Sequence, residues 1–398
     1  MKSKALRRST LLACSVAMVM GAGFGAQAED LKIGAITSFS GSGQSLGPAY
    51  LAAWQLAMDE VNAAGGLLGR KVVLVSGDTA SDPTHGVSEL RRLMSNEKVE
   101  AILGSVVSQE TLPMVPLTTE ANLLQVSASA STTLTPEYGP YHFSTSPTGL
   151  DQMKANVDYA VDTLGLKKLA LISDNGGMSK AAVGEIVAYM TERGVAPVIV
   201  QEFAFKAEDM TPQLFSMRNA GAEGVLLINS IGDDSRKFLE NRLDIDWMVP
   251  ILANQTMSNY AVGNALSIGG EAFENVFSTQ NIGMTYCPGD AVGESAFAKM
   301  AVKAKEKIEN VERMGGAESL VPPYVMAQVL IAGVTGAGSV EGKAVAAWLE
   351  NAGEIQTIAG PMQVTSSKHF FPSSTSLAVI TKPHEKREDG LSMRATCN

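Results

Sequence analysis

Short hydroxyl side chains at two points of this chain are the residues best suited to chemistry. Ser108 closes the stretch GSVVS, and Ser129, Ala130 and Ser131 fall inside LLQVSASAST, residues 123–132. In both places an apolar run gives way to small residues, so backbone N–H groups and hydroxyls can close on an anion. Neither stretch carries Arg or Lys, which suits one small carboxylate held by neutral donors at a helix start. Helix capping is the other ordinary use of such serines. Their occurrence together, at the ends of neighbouring apolar runs, favours a site.

Catalytic patterns are missing. The histidines at 85, 142, 369 and 384 follow no metal-ligand spacing, and no G-x-S-x-G elbow occurs. Carboxylates fall mostly on the polar faces of helical segments. Gly41, Gly43 and Gly47 follow an apolar run, and Asp78 ends the next one, as in a loosened dinucleotide fingerprint. However, Ser38, Phe39 and Ser40 intervene, where a true fingerprint turns tightly to meet a pyrophosphate. The reading is therefore no enzyme and no cofactor, with a nucleotide-cofactor enzyme as the weaker alternative.

The elements that must hold these residues alternate regularly. LKIGAIT (31–37), KVVLVSGD (71–78), VEAILGS (99–105) and LLQVS (123–127) read as apolar strands. Helical patterns at 47–66, 84–97 and 109–122 separate them. The same order restarts with strands at 167–174, 196–205, 223–230 and 249–255, and helices at 179–194, 211–221 and near 233–243. Strands separated by helices of this length predict an α/β chain with two Rossmann-like lobes built on parallel-rich sheets. Ligands of such sheets sit beyond the carboxyl ends of the strands, which is where the serines fall. Residues 293–316 and 321–338 read as further helices, and the tail from 359 has a strand-like pattern.

The chain has 398 residues and a formal charge of −10, with no basic tract, which argues against nucleic acid. Lys2, Lys4, Arg7 and Arg8 precede an apolar stretch and then Ala26-Gln27-Ala28, which reads as a cleavable signal peptide over 1–28. The alternative is a lipoprotein anchored at Cys14. No later segment shows the roughly 18 unbroken apolar residues of a membrane-spanning helix. The mature protein is thus expected to be exported to the periplasm. There Cys287 and Cys397 form an even pair, and the sequence leaves open whether they are bridged.

The opening segment, with DEVNAAGGLLGRKVVLV and DTASDP, resembles the branched-chain amino acid type of periplasmic solute-binding protein, the leucine-binding-protein-like, type I fold. VEAILGSVVSQETLPMVPL, LLQVSASASTTLT and VPPYVMAQVLIAGV fit it too, so the resemblance covers nearly the whole mature chain. It implies two lobes joined by three crossovers, near 143–147, 278–282 and 357–362. The N-terminal lobe would comprise 29–145 plus 281–358, and the C-terminal lobe 146–280 plus 359–398. It implies a monomer that captures a ligand and delivers it to an inner-membrane ABC permease.

Members of that family hold an amino acid's α-carboxylate from the first lobe, and Ser108 with Ser129, Ala130 and Ser131 match those positions. They hold the ammonium and side chain with an acid and aromatics. Here those positions fall on Gln255, Met178, Ser230 and Leu46. A buried ammonium without a carboxylate is costly. The resemblance therefore implies a small carboxylate, either an amino acid or an aromatic or aliphatic acid without an amine. A shift of register would bring Asp233 or Asp234 into reach. A periplasmic sensing module for a signalling partner is the second reading.

Overall fold

The computed structural model describes residues 29–397 apart from 294 and 373–375. The expected signal peptide and Cys14 lie outside the described residues. The first lobe runs β1 (Leu31–Thr37), α1 (Leu46–Ala63), β2 (Val72–Asp78), α2 (Pro83–Arg92), β3 (Ala101–Gly104), α3 (Ser108–Glu120), β4 (Leu124–Ser127) and β5 (His142–Ser144). Its sheet has the order β2-β1-β3-β4-β5 and every pair is parallel. β3 and β4 are buried along their whole length. A strand covered on both faces is apolar without alternation, which is why these runs were legible.

The second lobe runs α4 (Gly149–Asp158), β6 (Leu169–Asp174), α5 (Gly177–Glu192), β7 (Ile199–Phe203), α6 (Thr211–Asn219), β8 (Gly224–Ile228), α7 (Gly232–Asp244), β9 (Ile251–Ala253), α8 (Gln255–Ile268) and β10 (Val276–Asn281). The chain continues through β11 (Thr285–Tyr286), α9 (Ala296–Lys307), α10 (Val321–Ala337), α11 (Gly342–Leu349), the hairpin β12 (Ile355–Thr357) and β13 (Gly360–Met362), then β14 (Leu377–Thr381) and β15 (Ser392–Met393). The second sheet has the order β14-β10-β9-β8-β6-β7, with β14 antiparallel to β10. The helix expected over 293–316 is shorter: α9 stops at Lys307 and two 3-10 turns follow.

One expectation about membranes changes. Ala317–Ala337 is a helical stretch of 21 residues, long and apolar enough by length and composition to cross a bilayer. It is the central helix of the first lobe. Met326, Ala327, Val329 and Leu330 are fully buried there, in one cluster with Trp54 of α1.

The chain passes to the second lobe between Ser144 and Gly149 and leaves it after Asn281. The third passage does not lie at 357–362. The β12–β13 hairpin stays on the first lobe, with Ile355, Ile358, Ala359 and Met362 in the same core cluster as Phe143. Phe371 N–H donates to the Ser144 carbonyl, and Ser144 N–H donates to the His369 carbonyl. These apolar contacts hold residues 359–371 on the first lobe, and only then does β14 enter the second sheet. The tail crosses back once more. Leu391 is buried in the first-lobe core, while Ala395 N–H donates to the Val379 carbonyl of β14.

Cys287 and Cys397 are joined by a disulfide that closes a segment of 110 residues. A loop of this size costs the unfolded chain about 4–5 kcal/mol in closure entropy. The double variant Cys287→Ser, Cys397→Ser is expected to lose about 2–5 kcal/mol in urea unfolding. A loss below about 1 kcal/mol would show that the bridge does not constrain the unfolded chain.

Candidate ligand-binding site

The two lobes close on a cavity of about 70 Å³ at the carboxyl ends of their strands. Six residues singled out from the sequence share its wall: Leu46, Ser108, Ala130, Met178, Ser230 and Gln255. Ser129 and Ser131 do not reach it.

Ser129 stands directly behind Ser108. Its hydroxyl donates to Ser108 Oγ at 2.8 Å, and its N–H donates to Ser127 Oγ at 3.1 Å. Ser144 Oγ donates to the Ser129 carbonyl at 2.6 Å. Ser127 Oγ in turn lies 2.8 Å from His142 Nε2. Burial, with a smaller push from His369, lowers the His142 imidazole to about 3, so it is neutral at physiological pH. Ser108 Oγ is thus already an acceptor within the protein, and its own proton is available to an acceptor in the cavity. Such chains strengthen the terminal donor. Ser131 is carried past the wall, because the preceding carbonyl, of Ala130, accepts from Gly149 N–H of the other lobe at 3.1 Å. Its hydroxyl is buried without a hydrogen-bond partner.

α3 is set in place by Glu110, in its first turn. The Glu110 carboxylate accepts from Ser38 Oγ at 2.9 Å and from Ser105 Oγ at 2.8 Å, so it ties the loops after β1 and β3. The glycine loop beside it is also satisfied internally. Phe39 N–H, Ser40 N–H and Ser40 Oγ all donate to the Asp78 carboxylate, and Gly43 N–H donates to Ser81 Oγ. Loop donors spent on Asp78 and Ser81 do not form an open phosphate cradle.

From the second lobe, Gln255 opens α8. Its N–H donates to Gln152 Oε1 at 3.0 Å and its Nε2 donates to Asn281 Oδ1 at 3.2 Å. Ser230 N–H donates to Asp174 Oδ2 at 2.6 Å, while Gly176 N–H and Ser179 Oγ occupy Oδ1. Asp174 is therefore not on the wall, its oxygens taken by the loops after β6 and β8. Asp233 and Asp234 are not on the wall either. Asp233 stands 3.9 Å from Arg236, and Asp234 Oδ2 accepts from Lys206 N–H at 3.2 Å.

Among the wall residues not singled out from the sequence are two aromatic ones, Tyr50 of α1 and Tyr260 of α8. Tyr50 lies one turn beyond Leu46 on the same face, a spacing that could have flagged it. Burial, the larger cause for each, pushes both phenols well above their ordinary range and keeps them protonated. No residue on the cavity wall carries a charged side chain. Four helices present first-turn residues to it: Leu46 of α1, Ser108 of α3, Met178 of α5 and Gln255 of α8. Each N-terminus contributes partial positive charge. The lobes touch at the cavity's edge, where a Cβ on Gly177 of α5 would lie 2.8 Å from Gln109 N of α3. Only glycine permits that approach. A larger hollow of about 650 Å³ lies on the far side of α8, beneath the tail. Charged groups there already pair with one another, as Lys386 with Glu318 and Arg387 with Asp389.

Burial raises the Asp234 carboxyl to about 7 against the opposing Lys206 N–H, with Asp174 and Asp233 adding to the rise. A folded-state pKa above the unfolded value of 3.8 means stability is full below pH 3.8 and falls as pH rises through 7. Asp234→Asn is expected to flatten that fall and to raise stability at pH 8 by about 2–4 kcal/mol. Urea melts of both proteins at pH 5 and pH 8 measure it; equal slopes would place the titration elsewhere.

Residues 30–385 match the family model described as periplasmic binding protein. The amino acid binding protein of Pseudomonas aeruginosa is 26% identical over 363 residues, covering 90% of this chain and 92% of that one. The solved branched-chain amino acid transporter substrate-binding protein LivJ of Streptococcus pneumoniae, in complex with isoleucine, superposes with a TM-score of 0.73. It is 19% identical, with 91% of this chain and 97% of that chain covered. A solute-binding protein of an ABC transporter from Rhodopseudomonas palustris BisB5, in complex with 3,4-dihydroxybenzoic acid, gives 0.77 at 18% identity, covering 92% and 95%. The two lobes, the interlobe cavity and the match along almost the whole described chain lead to one conclusion: this chain belongs to the periplasmic binding protein family, with the type I fold.

Proposed function

We propose that this protein captures a small carboxylate between its lobes in the periplasm and delivers it to an ABC permease of the inner membrane. The observation that carries the reading is the donor set at the start of α3. Ser108 has a hydroxyl proton to give, is held by Ser129, and faces a cavity ringed by helix N-termini. Solved relatives in ABC transporter systems hold acids of this kind, an amino acid in one and an aromatic acid in another. Closure around the ligand would follow from its preference for the state in which both lobes contact it. Delivery in turn would depend on a permease that recognises the closed form. A single chain suffices for the cavity, so the capturing unit is a monomer.

Hydrogen bonds to a charged group contribute about 1.5–3 kcal/mol, so Ser108→Ala is expected to weaken carboxylate binding about 10- to 100-fold. Ser129→Ala, which removes only the supporting hydroxyl, is expected to cost about 3- to 10-fold. Calorimetric titration of both variants checks this. Unchanged affinity in both would move the carboxylate away from α3.

A further inference from the structure

We infer that the ligand is a compact aliphatic carboxylate that carries no amine. The inference rests on the carboxylate-capture reading and narrows it to a substrate class. Three observations support it.

The first is charge. No wall residue of the cavity is charged, while first-turn residues of four helices face it. A carboxylate gains from each of these positive helix ends, and an ammonium loses. A buried ammonium needs a carboxylate partner, and none reaches the cavity. Asp174 is hydrogen-bonded to the Ser230 backbone but is not on the wall, and its two oxygens accept from Gly176, Ser179 and Ser230. Glu110 is committed to Ser38 and Ser105 of its own lobe.

The second is hydrogen-bonding direction. Gln255 gives one Nε2 hydrogen to Asn281, which leaves its second Nε2 hydrogen and its neutral amide oxygen for the cavity. Gln152 is committed at both ends, its Oε1 to Gln255 N–H and its Nε2 to the Pro147 carbonyl. The distal end therefore suits a neutral hydroxyl or oxo substituent and offers no counter-charge.

The third is size. The cavity of about 70 Å³ is roughly half of the ~150 Å³ that accommodates a benzene ring. Leu46, Val106, Val107 and Met178 give it aliphatic surface, beside the rings of Tyr50 and Tyr260. A short chain of the size of butanoate suits this volume better than an aromatic ring.

The experiment compares acids on one skeleton. Calorimetric titration of the purified protein with butanoate, 2-hydroxybutanoate, 2-oxobutanoate, 2-aminobutanoate and benzoate reads the affinities directly. The expected result is binding of the first three, with 2-aminobutanoate and benzoate each at least about 100-fold weaker. Binding of 2-aminobutanoate as tight as of 2-oxobutanoate overturns the exclusion of amines and leaves carboxylate capture standing. Tight benzoate binding overturns the size limit alone. If none of the acids binds, and a wider panel of organic acids and amino acids also fails, carboxylate capture itself falls. Gln255→Glu adds a gain of function, in which 2-aminobutanoate is expected to gain at least about 10-fold relative to 2-oxobutanoate. An unchanged ratio in a variant with native melting behaviour would remove Gln255 from the distal end and overturn the second observation.

Discussion

A buried carboxylate at the start of one helix fixes much of this molecule. Glu110 sits in the first turn of α3, where negative charge is favoured, and accepts from hydroxyls on two strand-end loops. Burial pushes its pKa up, opposed by the hydrogen bonds from Ser105, Ser38 and Thr79. Ser38 Oγ also lies 2.9 Å from Thr79 Oγ1, so the loop after β2 joins the same cluster. Three loops that would otherwise leave buried polar groups unsatisfied thereby satisfy one another. Ser108, two residues earlier on the same helix, inherits its position from this cluster.

The second lobe solves the same problem with Asp174. It gathers Gly176, Ser179 and Ser230 around one carboxylate at the end of β6. Each lobe therefore spends its buried acid on its own loops. What is left for the cavity wall is neutral: hydroxyls, amides and helix ends. A two-lobed protein whose facing surfaces carry no exposed charge in the cavity avoids repulsion on closing. It also gains little on closing without a ligand, since neutral donors on both sides still need an acceptor. Closure then depends on what occupies the cavity.

The fold was legible where buried strands are also apolar in sequence. LKIGAIT, read as residues 31–37, is β1 at Leu31–Thr37, and α3 and α7 fall within a residue or two of their expected spans. β10 went unread because VFSTQN is polar. Its side chains are satisfied only in the tertiary structure, as when Ser278 Oγ donates to the Asn254 carbonyl. α4, α8 and the three-residue β5 went unread for similar reasons, since none has a strong period of its own. The third passage was misplaced because the hairpin's apolar side chains could cover either lobe, and only packing decides which. The cavity wall was legible at Ser108 and Gln255, since strand-end residues of parallel sheets are local features. Ser131 was misjudged because its displacement depends on a bond between lobes, from Gly149 to Ala130. Tyr50 and Tyr260 depend on helix rotation, which periodicity constrains to a face but does not point at a cavity.

The disulfide has a mechanical consequence. Cys287 and Cys397 lie at the two ends of a segment that includes α9, α10, α11, the hairpin and β14, and so belongs to both lobes. Tension applied between the chain's ends bypasses that segment through a covalent shortcut. The stretched chain falls short of its full contour by the 110-residue separation, about 36–40 nm, until the sulfurs are reduced. Under load, therefore, the first-lobe strands and the core of the second sheet bear the pull, while the helix that fills the first lobe stays enclosed in a ring.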